Sequence, residues 1–346
     1  MPSTPTLQAE ALWNLVQAGR GATKFWVRVL RFHGTEYPWS LHECAVMTRD
    51  GLRDLGHTAY FTEERLDPNA GWPTPEDRAR LGEERQIIIG GNIGIAPDLA
   101  SIPDNSIVYN FEQAGSPQFS PHYLALLKRC IVWEYHCDNI KYLKSLYGIN
   151  AILVPFGYTA AFTPELEPVE LDYDVGFVGS MSPQRKHIIN ELELLKLKVF
   201  SSQGAYGLDR DKMLQRCKVV LNMHYYPRVK VLEVVRIGTA MAMHKAVVTQ
   251  IDDDTRVDPY YLPAVAAAKY KDLAATVKRV VEDPAEREML EERGFELFTA
   301  RKATDSLRKA LDNEPAPTRS LPQGFDRAPN PSGTIYRRIP RDGKIR

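Results

Sequence analysis

Val219-Val-Leu-Asn-Met-His-Tyr-Tyr-Pro-Arg-Val-Lys-Val-Leu-Glu-Val-Val-Arg236 runs from an apolar strand, through a polar and aromatic loop, into a helix that opens with an acid and a base. The spacing predicts a strand over Val219–Met223 and a helix over Val229–Met243, the repeating unit of a parallel sheet covered by helices. Glu233 and Arg236 stand three residues apart on one helix face and would pair with each other if nothing else came near. His224, Tyr225 and Tyr226 crowd the same strand exit, which favours a binding crevice over a plain helical ion pair beside core tyrosines. An acid at the N-terminal end of such a helix is well placed to accept hydrogen bonds from ribose hydroxyls.

Upstream, Tyr173-Asp-Val-Gly-Phe-Val-Gly-Ser180 has the pattern of a strand, and Ser182 to Leu195 that of the helix after it. Ser182 is a good N-cap and Pro183 suits the first helical position, so the free N–H groups of that turn point to the strand end. Gly179 lets a ligand approach the backbone there, and the helix dipole with Arg185 and Lys186 favours a phosphate. Gly179, Ser180, Arg185 and Lys186 are therefore candidate diphosphate ligands. The alternative is a glycine that only turns the chain beside two solvated cations, and this segment by itself leaves both readings standing. Tyr206-Gly207, after a short strand, can flank a nucleobase or simply make a turn.

The pattern repeats along the chain. Strands Lys198–Phe200 and Ala246–Thr249 and helix Asp209–Cys217 complete the second half, and Lys271 to Arg308 is uniformly helical. In the first half, strand Phe25–Phe32 and a helix from Ser40 to Leu55 precede strands Thr58–Phe61, Gln86–Ile89, Ile107–Asn110, Cys130–Glu134 and Ala151–Val154. Asp67 to Gly82 is a Pro/Gly-rich loop. The expected fold class is α/β, with two Rossmann-like domains facing across a cleft. Its parts are a leader (1–24), a first domain (25–158), a linker (159–172) where periodicity lapses into Gly, Pro and Glu, a second domain (173–312) and a Pro/Arg-rich tail (313–346).

Among 346 residues, 44 Lys and Arg balance 44 Asp and Glu, so no net field draws the chain to nucleic acid or an anionic membrane. No secretory signal and no transmembrane-length apolar run are visible, which places the expected site of action in the cytoplasm. Cys44, Cys130, Cys137 and Cys217 form no C-x-x-C pair, so neither a disulfide frame nor a structural metal is expected.

The set Asp174-Val-Gly-Phe-Val-Gly-Ser180, Pro183-x-Arg185, Tyr206-Gly207, Val220-Leu-Asn-x-His-Tyr-Tyr226 and Leu232-Glu-Val-Val-Arg-Ile237 resembles bacterial GT-B glycosyltransferases of the spore-maturation-protein type. Asn110-Phe-Glu-Gln113 is similar to an Asn-x-Glu-Gln stretch in those proteins, and the resemblance spans roughly Val27 to Arg308. It implies a nucleotide-sugar donor held by the second domain, an acceptor held by the first, and transfer without an obligatory metal or other cofactor. Glu233 matches the acid that binds donor ribose, and Gly179-Ser180 with Arg185 matches the phosphate-side loop. His224, Tyr225 and Arg236 join the donor-binding set. In the E-x7-E pattern of many retaining members the earlier acid is replaced by Tyr225, which leaves the stereochemistry of transfer open.

The first strand leads into Phe32-His33-Gly34, a loop expected to face the donor phosphates across the cleft. Glycosyl transfer needs a base for the acceptor hydroxyl or electrostatic support for the departing diphosphate. His33 is the candidate base, a role histidine suits near neutral pH, with Glu112 as alternative base or acceptor-orienting group and Gly34 beside the donor. A core histidine with a satisfied hydrogen bond is the plainer state for His33, and His42 and Glu43 are expected at the surface or in packing. Trp39, Trp133 and Tyr135 can stack on a sugar ring or simply fill the core.

Three rival readings remain. Asp252-Asp-Asp254 has the spacing of a divalent-cation site in a metal-dependent GT-A transferase. Gly90-Gly-Asn-Ile-Gly94 invites an NAD(P) oxidoreductase, although its glycine spacing is wrong for a dinucleotide. A sugar-nucleotide-binding scaffold without turnover, holding a partner through the basic tail Arg319–Arg346, fits the same fold.

Overall fold

The computed structural model describes residues 23–32, 41–66, 85–92, 102–103 and 105–314. Two all-parallel sheets account for every strand among them. The first, in spatial order β2-β1-β3-β4-β5-β6, comprises β1 (Lys24–Phe32), β2 (Thr58–Leu66), β3 (Arg85–Ile89), β4 (Ile107–Asn110), β5 (Ile131–Glu134) and β6 (Ile152–Leu153). Helices α1 (His42–Asp54), α2 (Pro121–Arg129) and α3 (Cys137–Tyr147) belong to this half. The second sheet, β11-β10-β9-β7-β8, is built from β7 (Tyr173–Val178), β8 (Val199–Ser202), β9 (Cys217–Asn222), β10 (Ala246–Gln250) and β11 (Ala266–Ala268). Its helices are α4 (Pro183–Leu194), α5 (Gly207–Leu214), α6 (Val234–Ala242), α7 (Leu273–Glu282) and α8 (Pro284–Ala300). The last helix is α9 (Ala303–Asp312).

The apolar run of β3 and all five residues of β10 are buried, as strands covered on both faces must be. The continuous helix expected from Lys271 to Arg308 is three. Asp283 accepts from the Glu286 amide at 3.0 Å as an N-cap and Pro284 fills the first turn of α8, so the chain restarts there; it breaks again at Arg301 and Lys302. Short β11 and the 3-10 turn Pro259–Ala264 are additions to the sequence reading.

The two halves are closely joined. One apolar cluster runs from Val27, Ile89 and Tyr109 in the first sheet to Val178, Val220 and Ile237 in the second half without a break. The chain crosses between the halves at 155–158 and again at 301–303, and the crossings pair: Tyr158 N donates to Arg301 O (2.7 Å) and Ala303 N to Tyr158 O (3.0 Å). From there α9 lies against α1, where Gly51 makes room. A Cβ on Gly51 would stand 2.5 Å from Leu307 Cδ1.

Polar contacts close the same interface on the carboxyl side of the strands. Glu43 of α1, expected at the surface or in packing, is buried and ion-paired with Arg210 of α5, whose guanidinium also takes Asp211. The same carboxylate accepts from Gly207 N at 3.3 Å. Arg256 reaches from the second half to Asn139 Oδ1 (3.2 Å) and Ala114 O (3.0 Å), and Val231 N donates to Gln113 Oε1 (3.1 Å). Glu43→Gln removes one charge from a buried group of three, so chemical denaturation should show a loss of about 1.5–3 kcal/mol, the scale of one hydrogen bond to a charged partner. A variant as stable as the parent would show that the Glu43–Arg210 pair does not hold the halves together.

Candidate functional site

Parallel pairing of β7 with β9 brings Gly179, just past one strand, beside Asn222 at the end of the other. Arg185, Glu233 and Arg236 converge on this exit. Residues 230–232 stay extended because Arg256 N donates to Lys230 O (2.8 Å) and Leu232 N to Arg256 O (3.0 Å), so α6 starts at Val234 rather than Val229, with Glu233 at the N-cap position. Its carboxylate therefore faces the strand exit. The direct pair with Arg236, open to the sequence only if nothing else came near, does not form. Glu233 Oε2 stands 3.1 Å from His224 Nδ1 and 3.3 Å from Asn222 Nδ2, and Oε1 is 3.6 Å from Arg185. Arg236 donates instead to Val178 O at 3.0 Å and to Asn222 Oδ1.

Arg185, 3% exposed, is committed to backbone carbonyls: Nη1 to Ser180 O (2.8 Å), Nε to His224 O (3.2 Å) and Nη2 to Met223 O. It lies 5.2 Å from the Phe177 ring and 5.3 Å from that of Tyr225, distances at which an aromatic face attracts a cation. Burial, with Arg236 close by, brings its guanidinium down to about 9, so it stays charged at neutral pH. Gly179 sits between the two arginines with φ +156°, and a Cβ there would stand 2.9 Å from Arg236 Nη2 and 3.5 Å from Arg185 Nη1. The backbone angle favours glycine, and a methyl group there would push Arg236 Nη2 aside. Burial pushes Glu233 up, but His224, Arg236 and Arg185 together outweigh it and hold the carboxylate below its usual range. Two guanidinium charges thus meet one carboxylate at the Gly179 turn, an arrangement suited to an anion.

The other predicted site residues fall around this centre. Ser180 is half-buried, and Tyr225, 41% exposed, turns a ring to the exit over Arg185. Lys186 is exposed on α4. Tyr206 precedes α5 within electrostatic reach of Arg236, while the amide of Gly207 is taken by Glu43. Across the interface Glu112 accepts from Asn92 Nδ2 (3.0 Å) and Gln113 N (3.1 Å), and burial raises its pKa. Tyr135 is buried within electrostatic reach of both Glu112 and Glu233, and Trp133 is a core residue. His33 and Gly34 lie outside the described residues, as do Trp39 and the last two residues of the Gly90–Gly94 stretch.

Among the described residues, several side chains with metal-ligand chemistry already have partners. Asp252 accepts from Tyr270 N (2.9 Å), Gln250 Nε2 (2.7 Å) and Lys230 Nζ (2.9 Å), and Asp254 and Asp253 pair with Lys230 and Lys269. Ammonium groups hold the positions a divalent cation would need. His136, Cys137 and Asp138 bring ligand atoms within 4.8 Å of one another, yet His136 Nδ1 accepts from Asp138 N (3.2 Å) and the Asp138 carboxylate pairs with Lys141 (2.7 Å).

Sequence reasoning missed Glu134. The β4–β5 register sets it opposite Asn110, and its carboxylate accepts from Asn110 Nδ2 (2.6 Å), Asn139 Nδ2 (3.0 Å) and His136 N (3.1 Å). It is fully buried, and burial pushes its pKa to about 8. An acid closing the apolar run Ile131-Val-Trp-Glu134 was the available signal.

No family model matches the sequence. One uncharacterised protein of Acanthamoeba polyphaga mimivirus is 26% identical over 174 residues, 48% of this chain and 56% of its own length. Another from the same virus is 36% identical over 107 residues, 31% of this chain and 10% of its own. The chain thus spans about half the length of the first relative and a tenth of the second. Among solved structures, WaaG, a glycosyltransferase involved in lipopolysaccharide biosynthesis, superposes with a TM-score of 0.56 at 10% identity over 83% of this chain and 98% of its own. T4 phage BGT in complex with its UDP-glucose substrate gives 0.50 at 13% identity over 83% and 99%. An α-glucosyltransferase in complex with UDP and a 13-mer DNA gives 0.51 at 11% over 84% and 99%. At such identities the likeness is one of fold, and that fold is the GT-B architecture of two parallel-sheet halves. Among the described residues no helix is long and apolar enough to cross a membrane.

Glu134 supplies a pH test. A carboxyl raised from 4.5 to about 8 on folding contributes stability that is fully present below 4.5 and is lost as pH rises through 8. Denaturation midpoints should therefore fall across that window more steeply for the parent than for Glu134→Gln, and superimposable profiles would show that the carboxyl titrates normally.

Proposed function

We propose that the chain is a glycosyltransferase of the spore-maturation-protein type, acting in the cytoplasm on a nucleotide-sugar donor held by the second half. The observation that carries this reading is the pair of guanidinium groups, on Arg185 and Arg236, meeting at Gly179 beside a single carboxylate. A diphosphate seated against that turn meets fixed positive charge, and the same charge stabilises the diphosphate as it departs. Arg236 Nη2, aimed at Gly179, is placed for direct contact, whereas Arg185, bound to three carbonyls, contributes its field. No metal enters this scheme, because the arginines take the electrostatic role. Glu233, kept ionised, offers oxygens to ribose hydroxyls, and Tyr225 and Tyr206 flank the same exit. The acceptor is proposed to lie against the first half near Glu112 and Tyr135, and His33 is kept as the proposed base, with Glu112 as its alternative.

A thermal-shift screen against nucleoside diphosphates and their sugars tests the reading, since a ligand that binds the native state raises the melting temperature with its occupancy. At least one should stabilise the parent. Glu233→Ala should weaken that ligand by roughly ten- to hundredfold, the equivalent of about 1.5–3 kcal/mol for a hydrogen bond to a charged group. Gly179→Ala, which sets a methyl against Arg236, should weaken it further still. No shift with any member of the screen, or equal shifts in parent and both variants, would remove the donor site from this exit.

A further inference from the structure

Glu233 is steadied from outside its own helix by a chain of polar contacts. Asp252 N can only donate, and it does so to Thr255 Oγ1 at 2.9 Å. The Thr255 oxygen keeps a second lone pair, so its 3.1 Å contact with His224 Nε2 takes its direction from the ring's tautomer. An ionised Glu233 can only accept, so the 3.1 Å approach of His224 Nδ1 to its Oε2, too bent for a formed hydrogen bond, favours the proton on Nδ1 and leaves Nε2 to accept from Thr255. His224 is buried, and its own amide donates to Gln250 Oε1 at 3.1 Å, so the ring has little freedom to choose another partner. The other carboxylate oxygen, Oε1, is buried without a hydrogen-bond partner among the described residues.

The same short loop supports Glu233 by a second route. Arg256, next to Thr255, exchanges backbone bonds with Lys230 and Leu232, the residues that lead into Glu233. Its side chain grips Asn139 and Ala114 of the first half. Lys230 and Gln250 tie the Asp252 carboxylate at the loop's start, each through Oδ2.

We propose that Thr255 and His224 are positioning residues: they form a relay of polar contacts from the 252–256 loop that holds Glu233 Oε2 and so sets the orientation of that carboxylate at the strand exit. The loop, anchored in both halves, is the bracket for that carboxylate. This rests on the donor-site reading above and assigns to Asp252-Asp-Asp254 the start of a support in place of a cation site.

Two measurements on the full chain separate this inference from that reading. Nitrogen-15 histidine spectra of the ligand-free protein at neutral pH should show His224 as the Nδ1–H tautomer. Thr255→Val should lose that bias, and Thr255→Ser, which keeps the hydroxyl, should retain it. An Nε2–H tautomer, a doubly protonated ring, or a tautomer indifferent to Thr255→Val would overturn the relay. Affinity for the tightest of UDP, GDP, ADP, CDP and dTDP should fall about tenfold in Thr255→Val, the scale of one hydrogen bond supporting a charged group, and stay near the parent value in Thr255→Ser. Unchanged affinity in Thr255→Val also overturns it. Should none of these diphosphates bind the parent, the donor-site reading falls, and the tautomer alone decides the relay.

Discussion

A buried guanidinium has five N–H donors to satisfy, and Arg185 does this by gathering carbonyls from two strand exits at once. Ser180 O follows β7, and Met223 O and His224 O follow β9. One side chain thereby fixes the separation of the two loops between which a ligand would sit. Its charge helps keep Glu233 ionised although burial opposes it, while Arg236, a like charge, is brought to the same turn by Val178 O and Asn222 Oδ1. The site is a consequence of burying that cation at a place where carbonyls were already pointing.

The second constraint is that both sheets direct their carboxyl ends at one another. Glu43 with Arg210, Arg256 with Asn139, and Gln113 with Val231 are all contacts between loops or helix starts at those ends. Each leaves the interface polar at its rim, while the cluster containing Val178, Tyr109 and Ile237 keeps it apolar beneath. Contacts of the two kinds act differently. The apolar part resists separation in any direction, and the polar pairs define a particular mutual orientation.

The alternation of short apolar strands with helices was legible because period and burial coincide in parallel sheets, and local chemistry singled out Gly179, Arg185 and Glu233 as candidates, which the fold brings to one strand exit. What stayed hidden was every feature decided by a residue distant in sequence. The helix at Val234 begins late because Arg256 holds residues 230–232 extended, and no propensity of Val229 or Lys230 announces that. Glu43 looks like an ordinary first-turn acid until α5 is laid against it, and Glu134 becomes unusual only when Asn110 and Asn139 close over it. The break at Asp283-Pro284, by contrast, carried its own local signal in an N-cap followed by proline, which a longer helical pattern obscured.

The adjacent crossings at 155–158 and 301–303 impose an order of events on biosynthesis. On a ribosome, α1 emerges before the second half, but Ala303 and Leu307, which cover it at Gly51, are made only after that half. The first half must therefore wait, with an apolar groove open, through the translation of the whole second half, and its maturation is tied to the synthesis of α9 rather than to its own completion.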